Sequence, residues 1–472
     1  MGHAGPAYQR LSAQDGSFIV VEGPGAPMHL SAVTIFETGT LTNRHGGLDV
    51  ARFRAHVAAR LPERGGYRQR IGFTPVGRRP VWVDDPDFDL RRHVHHVSLP
   101  APGTEAQLRE LAGQILSLPL DRERPLWEMW LVEGLGGGRF AVIAKLHHAL
   151  VDGIAGMGLV QALLSSRPEA KSGPIRSFRP RPVPGLAHKL VDEASHAFSG
   201  LGAVGDALLN PREATSRTAE GLGALWETIQ SGLRAQPPTP INRPHGAQRR
   251  VEWASLDLHA IHDVRKRLDG TVNDVILSVV TGALRRFFRA RRVKLGNLAF
   301  RVTVPVNLRS PDEAVGGNRV GALFIDLPLA ERDPLRRFAM ILDRTRRAKA
   351  SRCAEGVDWL HRFLNWSHSD LLSSIGSRFI YGMHPHNMVV TNIPGPGFPL
   401  YLLESRLLEL HPQLPLFPSQ CLALAALSYC GRVHIDWVAD WDVVPDVERL
   451  ASALEPAFAE LQAAALHRDR RH

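Results

Sequence analysis

Apolar and polar positions alternate over several short stretches of the chain, and stretches with apolar residues every three or four positions lie between them. A period of two is typical of a strand, and the longer spacing is typical of a helix. In the first third of the chain the pattern predicts strands at residues 29–36, 92–99 and 140–146 and a helix at residues 105–116. Residues 1–166 are therefore predicted to form an α/β domain.

Both periods return after residue 250, so a second α/β domain is predicted at residues 251–472. Its strand-like segments are residues 251–258, 299–306, 322–329, 388–391, 424–429 and 433–439. The last two segments form a hairpin-like pair around Gly431, and residues 447–466 have the apolar spacing of a helix.

Residues 167–250 separate the two halves and are predicted to be a linker, because prolines divide them into short pieces. Two of the pieces, residues 186–209 and 214–233, carry helical spacing of apolar residues. They are either helices packed across a domain junction or amphipathic helices on a membrane surface. We favour the junction, because their polar faces are not strongly basic.

Length and composition indicate a globular protein with two domains of ordinary size, since 44% of the 472 residues are hydrophobic and 22% are charged. No apolar run approaches the roughly 20 residues that a membrane-spanning helix needs. Residues 1–17 lack the pattern of a signal peptide, so a cytoplasmic location is expected. Three cysteines, Cys353, Cys421 and Cys430, are too few for a disulfide framework and are interpreted as free thiols.

The formal net charge of +10 favours anionic partners, which include nucleic acid, an anionic membrane and the phosphates of coenzyme A. Charge alone does not choose among these partners. Arginine-rich segments such as residues 284–292 and 344–352 are interpreted first as solvated helix faces. Because no nucleic-acid-binding motif accompanies the charge, no nucleic-acid partner is expected.

A histidine pair, His147 and His148, is followed closely by Asp152 and Gly153 and lies between two apolar segments. An imidazole placed where a strand gives way to a helix can take a proton from a hydroxyl at neutral pH, which acyl transfer from a thioester to an alcohol requires. A zinc site and a structural histidine pair are the alternatives. Adjacent histidines point in different directions on most backbones, and no metal-binding spacing surrounds them, so no metal is expected.

We assign His148 as the general base that deprotonates the attacking hydroxyl, and His147 as a neighbour that shapes the site. Asp152 either orients His148 or forms a structural ion pair that fixes the loop, and we favour the ion pair. Gly153 frees the backbone for a tight turn where a side chain would crowd the substrate. A second histidine-rich segment, residues 93–96, is interpreted as part of a half-exposed strand rather than a metal site.

Further short motifs occur in order along nearly the whole chain. They are Leu11-Ser12 with Asp15, Pro27-Met28-His29, Pro125-Leu126-Trp127-Glu128, Thr239-Pro240-Ile241-Asn242, Asn273-Asp274-Val275-Ile276-Leu277, Pro305-Val306 with Arg309, Gly317-Asn318-Arg319 and Thr391-Asn392-Ile393-Pro394-Gly395-Pro396. Together with the histidine run, this set closely resembles the bacterial wax ester synthase/diacylglycerol acyltransferase family. Two positions depart from the family pattern, because Asn307 and Thr391 stand where serine is usual.

The resemblance implies two chloramphenicol-acetyltransferase-like domains that meet in a V, with a channel between them and the histidine motif at the junction. Acyl-CoA would enter from one side as a co-substrate, and a lipid alcohol would enter from the other. By the same analogy Asn273 helps to hold the acyl carbonyl or the loop around it, and a helix-capping role is its alternative. Asn273, Thr391 and Asn392 are candidate donors to the oxyanion of the tetrahedral intermediate.

The sequence thus predicts an acyl-CoA-dependent O-acyltransferase that esterifies diacylglycerol, with a long-chain alcohol as the second choice of acceptor. The mechanism needs no bound cofactor, no metal and no covalent enzyme intermediate. Peripheral association with the inner membrane face or with lipid inclusions is expected, because the protein is positively charged and its acceptor is apolar. The alternative is a non-catalytic lipid-binding or carrier protein on the same fold, against which the intact histidine motif argues.

Overall fold

The structure is a computed structural model that describes residues 8–150, 158–195, 237–307, 320–351 and 386–469, apart from residues 24, 63–65, 77, 170, 171, 176, 184, 188 and 238. Its strands are β1 (Tyr8–Arg10), β2 (His29–Glu37), β3 (Gln69–Phe73), β4 (Pro80–Asp84), β5 (Val94–Ser98), β6 (Trp127–Leu135), β7 (Arg139–His147), β8 (Arg249–Asp257), β9 (Arg301–Asn307), β10 (Val320–Asp326), β11 (Met388–Ile393), β12 (Tyr401–Leu402), β13 (Ser405–Gln413), β14 (Leu422–Tyr429) and β15 (Arg432–Asp440). Its helices are α1 (Ala13–Val21), α2 (Val50–Arg60), α3 (Glu105–Ser117), α4 (Gly158–Leu163), α5 (Leu258–Arg267), α6 (Val272–Ala290), α7 (Pro334–Ala350), α8 (Glu448–Ser452) and α9 (Leu454–Asp469).

The strands form two six-stranded sheets and one three-stranded sheet. The first large sheet has the order β12-β13-β2-β7-β6-β5, and the second has the order β10-β9-β11-β14-β15-β8. The small sheet has the order β1-β4-β3. Most neighbouring strands are antiparallel, but β5 runs parallel to β6, and β11 runs parallel to both β9 and β14. The predicted mixture of strands and helices in both halves of the chain is confirmed.

Strand β7 lies in the middle of the first sheet and is buried along almost its whole length, because both of its faces are covered. On one face Phe140 and Val142 join a core that includes α2 and α4. On the other face Ala141 and Ile143 join a core that includes α3. Alternation of side chains lets one strand contribute to both cores, and the strand ends at His147.

Two strands of the second half, β12 and β13, belong to the sheet of the first half, and β13 makes the connection. It pairs antiparallel with β2, from Leu407 opposite Phe36 to Gln413 opposite Ser31, with an irregularity between Leu407 and Glu409. The core that contains α3 also takes up side chains of β8, β14 and β15. The two halves are therefore joined by backbone hydrogen bonds and by a shared apolar core.

Helix α6 forms the centre of the second core and is buried over most of its surface. It begins after the N-cap Thr271, whose hydroxyl accepts a hydrogen bond from the backbone N–H of Asp274. Gly282 lets α9 approach closely, because a Cβ atom at this position would lie only 3.0 Å from the Cβ atom of Ala457. Packing of α6 fixes the position of Asn273, which lies in its first turn.

Each strand predicted from alternation is present, with ends that differ by a few residues. The segment 92–99 becomes a strand only at Val94, because Asp89 caps a 3₁₀ turn just before it. The helix predicted at residues 447–466 is divided into α8 and α9. The two predicted linker helices lie largely outside the described residues, and the proposed domain boundaries stay a prediction.

A charged cluster is buried where β13 meets the second sheet. His411 Nδ1 donates to Asp436 at 2.9 Å and Nε2 donates to Glu409 at 3.0 Å, while Trp253 stacks on the ring. Against the effect of burial, the charges of Asp436 and Glu409 raise the pKa of His411 to about 9. Burial raises the pKa of Asp436 to about 6, so this carboxylate is mostly ionised at pH 7. A buried imidazolium between two carboxylates thus ties β13 to β15.

We predict that this cluster makes the free energy of unfolding decrease at alkaline pH. The folded protein holds the His411 proton more tightly than the unfolded chain, in which a histidine pKa is about 6.5. The stabilisation from this proton is complete below about pH 6.5 and is lost as the pH rises through about 9. The loss in the free energy of unfolding is about 3 kcal/mol at most. Urea unfolding at about pH 6.5 and about pH 9.5 measures the loss.

The matched control for His411→Gln is His96→Gln, which removes a more exposed histidine whose Nε2 lies 2.8 Å from Glu133. The pH-dependent loss should shrink in His411→Gln and persist in His96→Gln. An equal loss in the unaltered protein and in both variants would contradict the role of His411.

Candidate active site

The histidine pair lies where the central strand of the first sheet ends. His147 is the last residue of β7, and His148 is the first residue of a short 3₁₀ turn. The backbone N–H of His147 donates to the carbonyl of Leu126 at 2.9 Å, and that of His148 donates to the carbonyl of Met28 at 2.7 Å. The segments that lead into β6 and β2 therefore hold the backbone of the pair from both sides.

The side chain of His147 is turned into the protein and is 1% exposed. Its Nδ1 accepts a hydrogen bond from the backbone N–H of Ala149 at 3.0 Å. A ring nitrogen that accepts a hydrogen bond carries no proton, so the neutral ring carries its proton on Nε2. This Nε2 lies 3.5 Å from Oε1 of Glu22. Both nitrogens of His147 thus face protein groups, which leaves neither for a substrate.

The side chain of His148 lies on the ring of Phe18, with ring centroids 3.7 Å apart and an angle of 21° between the planes. The residue is partly exposed, while its Nδ1 is buried and has no hydrogen-bond partner among the described residues. Burial lowers the pKa of His148 to about 4. The ring is therefore neutral at pH 7, and a neutral imidazole can accept a proton.

Glu22 is a partly buried anion of the site and forms the C-cap of α1. Its carboxylate accepts a hydrogen bond from the backbone N–H of Met28 and another from Nε of Arg122, both at 3.1 Å. The Nε2 atom of His29 lies 3.4 Å from the same carboxylate. Although burial opposes them, the contacts with His147, His29 and Arg122 hold the pKa of Glu22 well below its usual range. Glu22 thus carries a negative charge behind the histidine pair.

Neither Phe18 nor Glu22 was predicted from the sequence as a site residue. The available signal was the family resemblance of the segments that begin at Leu11 and Pro27, because these segments bracket the helix that carries both residues. Ser12 is the N-cap of that helix and accepts a hydrogen bond from the backbone N–H of Asp15 at 3.0 Å. The two motifs that flank α1 therefore indicated that this helix matters. Its contacts with the histidine pair became visible only in the three-dimensional structure.

Three other predicted site residues are Asp152, Gly153 and Asn273. Asp152 and Gly153 are outside the described residues, and their roles stay predictions. Asn273 lies half-buried in the first turn of α6, in the second half of the chain. The capping alternative for Asn273 is wrong, because Thr271 is the N-cap and Asp274 completes the capping box.

Asp274 joins two helices of the second core. One of its oxygens accepts hydrogen bonds from the backbone N–H and the hydroxyl of Thr271, at 2.9 and 2.7 Å. Its other oxygen accepts a hydrogen bond from the hydroxyl of Thr345 on α7 at 2.7 Å. In the Asn-Asp motif the acid thus holds the first turn of α6, which carries Asn273.

The other candidate oxyanion donors, Thr391 and Asn392, lie on β11 in the second sheet. Among the described residues, neither of them nor Asn273 forms a hydrogen bond to His147 or His148. Their role as donors to an oxyanion therefore stays a prediction.

Within the part of the chain that the structure describes, the group of potential metal ligands is Glu409, His411 and His434, whose ligating atoms lie within 4.8 Å of one another. Both ring nitrogens of His411 already face carboxylates, so we interpret this group as part of the charged cluster. Neither residue of the histidine pair belongs to it.

The fold matches solved structures over almost the full chain. The wax ester synthase/diacylglycerol acyltransferase from Marinobacter aquaeolei VT8 matches with a TM-score of 0.70 and 24% identity, over 97% of this chain and 100% of that chain. The first condensation domain of the CDA synthetase matches with a TM-score of 0.59 and 14% identity, over 97% and 96%. The predicted class is confirmed: the chain has the two-domain α/β fold that these proteins share.

Sequence comparisons define the family more closely. The model of the wax ester synthase/diacylglycerol acyltransferase catalytic domain matches residues 11–276, and the model of the C-terminal domain matches residues 316–462. A Mycobacterium tuberculosis protein named diacylglycerol O-acyltransferase is 33% identical over 96% of this chain and 90% of its own length. A Mycobacterium bovis protein of the same name is 31% identical over 96% and 99%. The chain belongs to the wax ester synthase/diacylglycerol acyltransferase family.

We predict that the two residues of the Asn-Asp motif differ in their effect on folding. Asp274→Ala should lower the free energy of unfolding by about 2–4 kcal/mol, because it removes the carboxylate of the capping box of α6 and leaves the hydroxyl of buried Thr345 without this acceptor. Asn273→Ala should change it by less than about 1 kcal/mol. Urea unfolding measures both variants.

The control for this comparison is Asp343→Ala, which removes a half-exposed aspartate paired with Arg347 on α7. It should change the free energy of unfolding by less than about 1 kcal/mol. Equal losses in Asp274→Ala and Asn273→Ala would contradict the separation of roles within the motif.

Proposed function

We propose that this protein transfers an acyl group from acyl-CoA to the hydroxyl of diacylglycerol, with a long-chain alcohol as a second acceptor. The observation that carries the proposal is the neutral imidazole of His148, held at the end of the central strand. Membership of the family and the names of the relatives support diacylglycerol as the acceptor. Acyl-CoA is a co-substrate, and the reaction needs no bound cofactor or metal.

In this mechanism Nε2 of His148 takes the proton of the acceptor hydroxyl while the hydroxyl oxygen attacks the thioester carbonyl. The new carbon–oxygen bond gives a tetrahedral intermediate, whose oxyanion requires aimed hydrogen-bond donors. We propose Asn273, Thr391 and Asn392 for that role. When the carbon–sulfur bond breaks, the thiolate of coenzyme A takes the proton from His148. The products are the ester and free coenzyme A, and His148 is neutral again.

The proposal predicts that purified protein releases free thiol and forms triacylglycerol from palmitoyl-CoA and dioleoylglycerol. His148→Ala should lower the rate by about 100- to 10,000-fold, because a positioned base contributes a factor of that size. The pKa of about 4 also predicts that protonation of His148 does not reduce kcat/KM between about pH 5 and 8.

His96→Ala, on the surface strand β5, is the control and should keep the rate of the unaltered protein. Unchanged turnover in His148→Ala would reject the base assignment. Binding of both lipids without any turnover would favour the lipid-carrier alternative. Competition between hexadecanol and dioleoylglycerol in one assay measures which acceptor is preferred, and a strong preference for hexadecanol would reverse the order proposed here.

We also propose that the protein associates peripherally with an anionic membrane, where an apolar acceptor resides. The net charge of +10 supports this. Large apolar side chains are exposed at Val183, Leu186, Leu190 and Val191, which together offer an apolar contact for the lipid interface. None of the described helices is long and apolar enough to cross a membrane. The cytoplasmic location stays a prediction.

Flotation with lipid vesicles tests this association. The protein should float with vesicles that contain phosphatidylglycerol and less well with vesicles of phosphatidylcholine alone, because the attraction is partly electrostatic. The double variant Leu190→Asp and Val191→Asp should reduce flotation, whereas Val76→Asp, at an exposed valine in another segment, should not. A protein that stays unbound with both kinds of vesicle would contradict the proposal.

A further inference from the structure

Helix α1 contacts the turn that carries the histidine pair, although none of its residues takes part in the proposed proton transfer. The helix is short and is fixed at both ends by its own caps, Ser12 at the start and Glu22 at the end. The backbone N–H of Glu22 donates to the carbonyl of Phe18 at 3.1 Å, which keeps these two residues one turn apart. Phe18 and Glu22 therefore reach the histidine pair as one unit.

Phe18 is 6% exposed and covers one face of the His148 ring in a nearly parallel stack. A stack at 3.7 Å restricts rotation of the imidazole and so limits the directions in which Nε2 can point. When His148 takes a proton, a positive charge develops above the negative face of the phenyl ring, and that arrangement is attractive. The contact is therefore stronger in the protonated state than in the resting state.

Glu22 acts on the backbone beneath the pair. Its carboxylate accepts from the N–H of Met28, and the carbonyl of Met28 in turn accepts from the N–H of His148. The same carboxylate lies 3.5 Å from Nε2 of His147. One carboxylate at the end of α1 thus fixes the start of β2 and, through Met28, the position of His148.

We propose that α1 is the positioning element of the general base, with Phe18 holding the ring of His148 and stabilising its protonated form, and Glu22 holding the backbone that carries it. The inference rests on the proposed function, because it assumes that His148 is the base. It assigns Phe18 and Glu22 as positioning residues for the transfer step. Neither residue is assigned to substrate binding in this proposal, so kcat should respond to these positions more than KM.

The first experiment compares Phe18→Leu with Phe18→Tyr. Leucine keeps an apolar side chain but removes the aromatic face, so kcat should fall by about 3- to 30-fold. KM for palmitoyl-CoA should change by less than about twofold, because the substitution affects the acyl-transfer step and not the binding of palmitoyl-CoA. Tyrosine restores an aromatic face and should keep most of the turnover. Equal kcat in Phe18→Leu and the unaltered protein would overturn the proposal.

A second measurement is independent of turnover. Diethyl pyrocarbonate acylates a neutral, accessible imidazole, and mass spectrometry of the peptide that contains His148 gives the rate. Uncovering the ring in Phe18→Leu should raise this rate severalfold, and Phe18→Tyr should leave it near the rate of the unaltered protein. If Phe18→Leu does not fold, Phe18→Met replaces it, with the same expected rise. An unchanged rate in a folded variant would contradict the stack.

Glu22→Gln tests the other end of the helix. It keeps an oxygen that can accept from Met28 but removes the charge that faces His147 and Arg122. We expect lower kcat with little change in KM, whereas Glu404→Gln, at a surface carboxylate paired with Arg52, should have no effect.

If the unaltered protein transfers no acyl group, the proposed function fails, and acylation of His148 still tests the stack. If the protein is active and all Phe18 and Glu22 variants match it in kcat and in acylation rate, α1 has no positioning role.

Discussion

The pairing of β2 is the constraint on which the rest of the structure depends. On one side β2 pairs with β7 along its full length, which places His29 opposite His147. On the other side it pairs with β13, which the second half contributes to the first sheet together with β12. A slip of one residue between β2 and β7 would turn every side chain of one strand to the opposite face. The register of a single strand therefore sets the position of the histidine pair and the junction of the two halves.

Two histidines show that burial lowers the pKa of an imidazole in this fold unless neighbouring carboxylates outweigh it. No carboxylate faces His148 among the described residues, and burial lowers its pKa to about 4. His411 lies between two carboxylates, and its pKa is raised to about 9. The first is neutral and can accept a proton, whereas the second is a fixed cation that holds two strands together. The same side chain is thus the proposed base in one place and joins two strands in the other.

The sequence pattern predicted nine of the fifteen strands of the described residues, among them β2, β7 and the hairpin of β14 and β15. It did not predict β1, β3, β4, β6, β12 or β13. It could not predict that β13 joins the first sheet, since the choice of partner strand depends on packing between distant segments. The histidine motif and the family resemblance predicted a site at His147 and His148. Phe18 was missed because its contact with His148 joins residues far apart in the chain, and no local spacing encodes such a contact.

Burial distinguishes the two residues within both the histidine pair and the Asn-Asp motif. In the histidine pair, His147 is buried and engages the backbone of Ala149, while His148 is the more exposed neighbour. In the Asn-Asp motif, Asp274 is buried and holds two helices, while Asn273 is the more exposed neighbour. Consecutive residues point in different directions at a strand end and in the first turn of a helix. One side chain can therefore fix the backbone from within the core, so that its neighbour is held still without having to stabilise the fold itself.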